Sequence, residues 1–480
     1  VGEPVYLDQT GTSKVFKAVT DSKGVATFLL PKGNSYILNF TYERGMKLLQ
    51  YPLDISLFTT NIRTNYIGSK KVEEFYRQTA RNNKFRIEFM SPKVEPAHFD
   101  YSVVEKLPNG FKLNFEGSHP ACPPSIVDDR LFVSPGYYSS EIFCLDRQKA
   151  TEKWSIKLAE GGPSSVVYSD GMIFINTQSC TLYSIDAETG VLAWSKWLGP
   201  NIYTTPTVFD KVVYTVYPND LNTSGRDSNF VMVAFELKTG NILWQNWMDA
   251  EALGSPVVYN NVIYTTDLRG KVYSFDAVNG KLLASAPVHA VTPPVVLNQD
   301  VWLNVRSQQA GKIEPALLDA KSLIPRKTLP QFAINQFFDR PLSLPASQLM
   351  CLNAGRPLIF KGRNFQHAEN DLVSYSANNG ELLWKISIGQ PAVSSMPVEA
   401  GGKIVVPLTG GKLLLVQPDD GKILNTIHLG EETVGGPIIH QAWIYSSTTD
   451  GKIIAVDTKI KELTGWPAWG KNSSHNCMVE

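Results

Sequence analysis

Few residues in this chain have types and spacing that could do chemistry. Asp220, Asn222 and Ser224 alternate within residues 218–229 with the oxygen spacing that opens a calcium loop. The twelfth position, however, is Val231 rather than a bidentate glutamate, which favours a plain solvated hairpin. The cysteines, at 122, 144, 180, 351 and 477, include no pair at CxxC metal or redox spacing. The histidines are scattered, with no HxH or HExxH, and there is neither a GxSxG nor a glycine-rich phosphate loop. His428 and His440 read as ordinary surface or core histidines. What recurs is aspartate: Asp146, Asp186, Asp276, Asp319 and Asp457 each end a short apolar run. There a carboxylate accepts backbone N–H groups of a turn, a role that needs no catalysis.

The elements that carry these aspartates repeat. Residues 181–194 read TLYSIDAETGVLAW. Leu182 to Asp186 alternates as a half-buried strand would, Ala187 to Gly190 is turn chemistry, and Val191 to Trp194 is apolar again. This is a hairpin, with Gly190 supplying the residue that can take positive φ. The same frame returns as Asp146 with Trp154, Glu236 with Gly240 and Trp244, Asp276 with Gly280, and Asp319 in a worn copy without the glycine. It continues as Ser376 with Gly380 and Trp384, Gln417 with Gly421, and Asp457. The gaps are 40, 50, 40, 43, 57, 41 and 40 residues. A second signal runs in phase: a small-residue and proline opening before a short apolar strand, at Cys122, Gly162, Thr204, Gly254, Thr292, Ser395 and Gly435. The missing opening is expected near Pro341 to Pro345. Four strands every ~40 residues mark the blade of a β-propeller. The recurrent Trp154, Trp194, Trp244 and Trp384 then read as blade-to-blade packing.

Asp186 to Trp194 resembles the repeat family named after pyrroloquinoline quinone (PQQ) enzymes, whose hallmark is Asp-Ala-x-Thr-Gly-x-x-x-Trp after an apolar strand. The resemblance, to quinoprotein and BamB-like propellers, spans Pro120 to about Trp469. In the quinoprotein dehydrogenases it would further require two adjacent cysteines over the quinone, calcium ligands and an axial catalytic aspartate. No two cysteines here are adjacent. The expectation is therefore a non-enzymatic ring with no cofactor and no metal. Its face and central funnel would bind a protein or other macromolecular partner in the cell envelope or outside the cell. A PQQ-dependent oxidoreductase and a polysaccharide-binding surface module are the alternatives. In a closed ring the chain ends meet, so Cys122 and Cys477 could form a disulfide; two free thiols is the preferred reading.

Residues 1–92 do not fit the repeat. Thr20 to Pro31 resembles the carboxypeptidase-regulatory-like β-sandwich, an immunoglobulin-like spacer, with alternating strands flanking a turn at Asp21 to Gly24. Lys70 to Arg81 is the best helix candidate, with Val72, Phe75 and Tyr76 on one face. Residues 93–110, with Pro96 and Pro108, read as a linker, and 111–480 as the propeller. Phe111 to Phe115 alternates and is a candidate for the strand that closes the ring, since an open ring leaves unpaired edges; Gly465 to Trp469 competes for that role. The fold class is thus all-β: an eight-bladed propeller of four-stranded blades behind a small β-sandwich. An insertion over Lys321 to Asn370, rich in Pro, Gln and Phe, is where a binding loop is expected.

Lys+Arg and Asp+Glu both number 45, so net charge is zero. That excludes a general nucleic-acid binder and any electrostatic case for an anionic membrane. No apolar run is long enough to span a bilayer. The chain opens on Val1, and an upstream targeting segment is expected. A monomer is expected. Asn39, Asn222 and Asn472 begin glycan-acceptor patterns, which are frequent by chance.

Overall fold

The computed structural model describes residues 2, 4–22, 25–31, 34–41, 47–55, 92–115, 120–136, 139–177, 181–198, 204–218, 230–306, 313–326, 357–368, 370–389, 397–408, 410–468, 470–472 and 478–479. The helix expected over Lys70 to Arg81, the calcium-loop candidates Asp220, Asn222 and Ser224, and Pro341 to Pro345 lie outside them.

The alternating runs of the repeat become strands, and these assemble mostly four at a time. The unit around Asp186 is typical: Val167–Ser169, Met172–Asn176, Thr181–Asp186 and Leu192–Trp197 pair in sequence order, all antiparallel. Among the described residues eight sheets built on this plan, one of them with three strands, follow one another from Ser125 to Asp457. Their first strands lie innermost, each beside the first strand of the next sheet. The row closes on itself. The hydroxyl of Tyr445 donates to the carbonyl of Arg147 at 2.9 Å, and Ser447 Oγ donates to the carbonyl of Cys122 at 3.0 Å, joining eighth sheet to first. The result is a β-propeller.

Each hairpin is built alike. Gly190 N–H closes on the Asp186 carbonyl at 2.9 Å, and a register shift follows on the partner strand. The same shift recurs in six sheets. The bulge needs positive φ at the fourth residue after the acid. Gly190, Gly240, Gly280, Gly380 and Gly421 supply it, and so do the non-glycines Ala150 and Leu323. The worn copy at Asp319 therefore keeps the hairpin without its glycine.

The sheets are held to one another by aromatic donors. Trp154 Nε1 donates to the carbonyl of Ala187, Trp194 to Leu237, Trp244 to Ala277 and Trp384 to Pro418, at 2.9–3.1 Å. The acceptor is always the residue after the acid of the next hairpin. In the fourth, fifth and eighth sheets, which lack the hairpin tryptophan, the third residue of the second strand does its work; the seventh lacks it too and has Val405 in that place. Tyr264 donates to Ala320 at 3.2 Å, Trp302 to Ala377 at 3.1 Å, and Tyr445 to Arg147. Where the tryptophan is present, that position holds Phe132, Phe174, Tyr214 or Phe365, tilted against the tryptophan ring at 5.8–6.1 Å. Each seam with an aromatic donor thus buries a large apolar area and leaves that donor satisfied.

The structure corrects several expectations. Residues 93–110 are not a linker. Val94–Pro96 adds a fifth strand to the outer edge of the first sheet, and Val104–Leu107 pairs with Gly110–Asn114. The sixth inner strand is Leu358–Phe360, after Pro357, rather than near Pro341. Among the described residues the fifth sheet has three strands, with a bridge between Leu318 and Pro325 where a fourth would begin. In the N-terminal region one four-stranded sheet is described, in the order Val15–Val19, Pro4–Gln9, Asn34–Thr41, Lys47–Ile55. Asp21 makes a turn with Val25, but residues 25–31 form no strand; Phe28 and Leu30 pack on the buried Leu7, Tyr36 and Leu38 instead.

Gly110–Asn114 pairs antiparallel with Lys452–Asp457, so the residues from Phe111 onward do supply an outer strand of the last sheet. Glu431 fastens this strand, accepting from Lys112 and, at 2.8 Å, from Lys452. Burial alone would raise the Glu431 carboxyl, but the two lysines prevail and hold it below the usual range. A depressed carboxylate contributes stability above its unfolded pKa, and that contribution is lost as pH falls through the folded value. E431Q should therefore be less stable than the parent at pH 7, by a deficit that shrinks as pH falls through the acid range, as measured by urea midpoints. A deficit unchanged across that range would refute the ion-pair account.

Candidate binding face and axial cavity

The hairpin acids all lie at one end of the strands, and their side chains are committed to turns. Asp186 Oδ1 accepts from the N–H groups of Glu188 and Thr189 and from Thr189 Oγ1, at 2.7–3.1 Å. The bond from the Thr189 hydroxyl, helped by the two amides, holds its carboxyl below the usual range. Asp146, Asp276, Asp319 and Asp457 accept from amides two or three residues on in the same way. A second bond ties each hairpin to the tight turn between the first two strands of its sheet. Ala187 N–H reaches the Gly171 carbonyl, and its counterparts at Arg147, Leu237, Ala277, Ala320, Ala377 and Thr458 do likewise, at 2.8–3.0 Å. Only the seventh unit lacks this bond, because Pro418 stands there and has no N–H. This turn face is therefore a lattice of short turns with its polar groups used internally.

The opposite face is formed by the second-to-third-strand loops and by the crossings between sheets, since alternate strand ends point that way. The crossings begin with the proline openings. Their carbonyls accept from the neighbouring sheet: Ser134 Oγ to Pro163, Asn176 Nδ2 to Thr204, and Thr207 Oγ1 to Pro256, at 3.4, 2.7 and 2.7 Å. Asp267 sits on this face, fully buried. Burial raises its carboxyl, although the amides of Arg269 and Lys271 and the Tyr273 hydroxyl all donate to it. Sequence reasoning passed over Asp267; an acid ending a second strand, where Thr177 and Thr448 stand in other units, was the available signal.

Around the axis the central funnel is partly filled by the chain itself. Trp466 pairs with Ile439 of the eighth inner strand through bonds of 2.7 and 3.0 Å, and the Pro467 carbonyl accepts from Ile126 of the first at 2.8 Å. Trp466 is buried. The segment expected to compete for the outer closing strand therefore lies on the inner edge instead. Met478–Val479 then pairs parallel with Leu358–Phe360, the inner strand of the sixth sheet. Between this segment and the inner strands of the first three sheets lies a cavity of about 230 Å³, lined by Ser125, Ser165, Tyr168, Thr205, Pro467 and Lys471 among others.

Cys122 lies at a first-sheet opening, where its buried thiol donates to the Pro163 carbonyl at 3.2 Å. It is a free cysteine, as is Cys144. Cys477 lies outside the described residues; its neighbour Met478 is on the sixth sheet, whereas Cys122 meets the second and eighth. Burial pushes both described thiols up to about 12. Neither should react with iodoacetamide at pH 8 until the protein unfolds. Mass-spectrometric detection of rapid native labelling at either position would contradict this packing. Among the described residues no group of three His, Cys, Asp or Glu could hold a metal ion, and no helix is long and apolar enough to cross a membrane.

The family described as outer membrane protein assembly factor BamB matches residues 138–310 and 368–477, more than half of the chain. The chain belongs to that family. No curated protein matches it in sequence. Among solved structures, BamB from Moraxella catarrhalis superposes with a TM-score of 0.52 at 13% identity, over 74% of this chain and 100% of that one. The computationally designed Ika8 protein gives 0.52 at 12% identity, over 72% and 98%, and Saccharomyces cerevisiae Sqt1 gives 0.52 at 7%, over 71% and 97%. At these identities the likeness shows the fold, a PQQ-like propeller. It leaves function to be argued from the site.

Proposed function

We propose that this chain is an eight-bladed propeller that works as a non-enzymatic scaffold outside the cytoplasm, binding a protein partner with its loop face. The observation that carries the reading is the inequality of the two faces within a BamB-family ring. On the turn face the backbone and acid groups are spent on internal turns; the other face is where the second-to-third-strand loops and the crossings between sheets leave a rigid base, the arrangement in which binding is placed. The hairpin aspartates and tryptophans, the residues a redox reading would look to first, have turn and seam roles that account for them. The N-terminal region serves as a spacer domain in this reading.

The test is partner crosslinking in envelope extract, with matched substitutions on each face. Replacing 219–229 by a short turn should abolish or shift crosslinks at the loop face, whereas charge reversal at Glu188 and Lys238 on the turn face should not. Equal sensitivity of both faces would sink the assignment. Calorimetric titration with PQQ and calcium addresses the quinoprotein alternative directly: stoichiometric tight binding would overturn the scaffold reading.

A further inference from the structure

A propeller leaves the innermost strand of every sheet with one edge facing the axis, and such an edge is a row of backbone donors and acceptors waiting for a strand. Here three of those edges are engaged by the chain's own distal segment. Trp466 takes the eighth with both bonds of a narrow antiparallel pair, and Pro467 takes one amide of the first. The sixth is joined by Met478–Val479, in register Ile359 to Met478 and Phe360 to Val479. The first two contacts are anchored: Leu463 and Trp466 are buried, and Leu463 and Thr464 also accept from Ala442 and Gly401. The third is a two-residue parallel ladder, the weaker hydrogen-bonding geometry at the shortest length. For the inner edges of the second, third, fourth, fifth and seventh sheets no added strand is described.

We infer that the inner edge of Leu358–Phe360 is a strand-acceptor site for an extended segment of a partner protein, which lies parallel to it and displaces Met478–Val479. The resident strand shows the mode of binding. Affinity comes from main-chain bonds to Ile359, whose N–H and C=O face the axis while those of Phe360 face Arg363, and selectivity from side chains alternating between the two faces of the sheet. The anchored part at Leu463 to Pro467 stays in place, so exchange at the sixth sheet leaves the ring closed. This deepens the scaffold reading and rests on it, by giving the partner's form at the axis: an extended peptide with consecutive apolar residues rather than a folded surface or a glycan.

The experiment uses the full chain, a variant ending at Asn472, and a fluorescein-labelled peptide of residues 473–480. Fluorescence anisotropy should show saturable binding to the shortened chain and at least tenfold weaker binding to the full chain, where the resident strand competes. No binding to a folded shortened chain, or equal binding to both, would overturn the proposal. Should the shortened chain fail to fold, hydrogen exchange on the full chain decides. The amide of Ile359 should exchange at least tenfold faster than those of Asn364 and Phe365 in the adjoining strand, and equal protection would refute exchange. Loop-face crosslinking is a separate readout, so the strand-acceptor site can fail while the scaffold reading stands.

Discussion

Replacing Gly240 with alanine is expected to destabilise the propeller by about 3 kcal/mol, and most of that cost should vanish when Trp194 is also removed. Gly240 has a φ of +68°, where an added Cβ costs about 1–2 kcal/mol on backbone grounds alone. The added atom would also lie 2.7 Å from Trp194 Cδ2 and 2.9 Å from Cε3, closer than packed atoms tolerate. The indole cannot yield cheaply. It is 9% exposed, sits about 6 Å from Phe174 and Phe235, and is tethered through Nε1 to the Leu237 carbonyl at 2.9 Å. Forcing it aside costs a further ~1–3 kcal/mol. W194A alone should lose about 3–5 kcal/mol through the cavity and the lost seam contact. In the W194A background, G240A should cost only the backbone part, so the two substitutions are strongly non-additive. Far-ultraviolet circular dichroism in urea reads this without relying on tryptophan emission. Additive losses would mean that the glycine serves the turn alone and the stacking contributes nothing.

Gly171 provides the internal comparison. Its φ is +77°, yet nothing lies within 4 Å of an added Cβ. G171A should therefore show the backbone cost without the steric one, about 1–2 kcal/mol. A larger loss there would show that the turn face carries strain not visible in its contacts.

These glycines also show why so much of the fold was legible. Each hairpin carries two constraints in fixed positions, a positive φ and a flat surface for the next ring, and both leave letters in the sequence. Where a constraint can be met by another chemistry, the letters fade. Leu323 takes positive φ without being glycine, and Trp302 and Tyr264 replace the hairpin tryptophan from a different strand. The fifth unit therefore looked worn although its seam is complete. Aligning the third residue after each tight turn would have exposed the substitution. Prolines at 96 and 108 read as breaks in the sequence, yet residues 93–110 hold strands. Val94–Pro96 is an edge strand, where a missing N–H leaves no ladder bond unmade. The axial segment was not legible at all. Two residues pairing with a strand more than a hundred positions away have no periodicity to read, and what selects the site is a free backbone edge, common to all sheets. The same physics limits the functional site: a binding face made of loops leaves no spacing rule, unlike a catalytic set.

The second large effect is expected where the ring closes. Gly110 begins the strand that completes the last sheet, opposite Val456. It is not at positive φ, so no turn requires it; what requires it is space. A Cβ there would overlap the carbonyl oxygen of Ala455, with the Ala455 carbonyl carbon at 2.9 Å. Both obstacles are backbone, which has no rotamer to change, so G110A must push the closing strand off its neighbour. The strand carries Phe111 and Leu113, 3% and 0% exposed, into the main core, and Lys112 to Glu431. Losing its pairing uncovers those groups and the edge of Lys452–Asp457 together. Burying a large apolar side chain is worth about 1.5–3 kcal/mol, so exposing two should cost about 3–6 kcal/mol. The loss should also fall unevenly. Hydrogen exchange should rise first in the first and eighth sheets, which the closure joins, and least in the fourth, on the far side of the ring. N109A is the control, since its amide only reaches the Asp457 carbonyl at 3.3 Å, and it should change the urea midpoint little. If G110A were as stable as N109A, the strand from Gly110 would be an accessory to the last sheet rather than its closure. The ring would then be held shut by the bonds from Tyr445 and Ser447 and by the Trp466-Pro467 bridge on the inner edge.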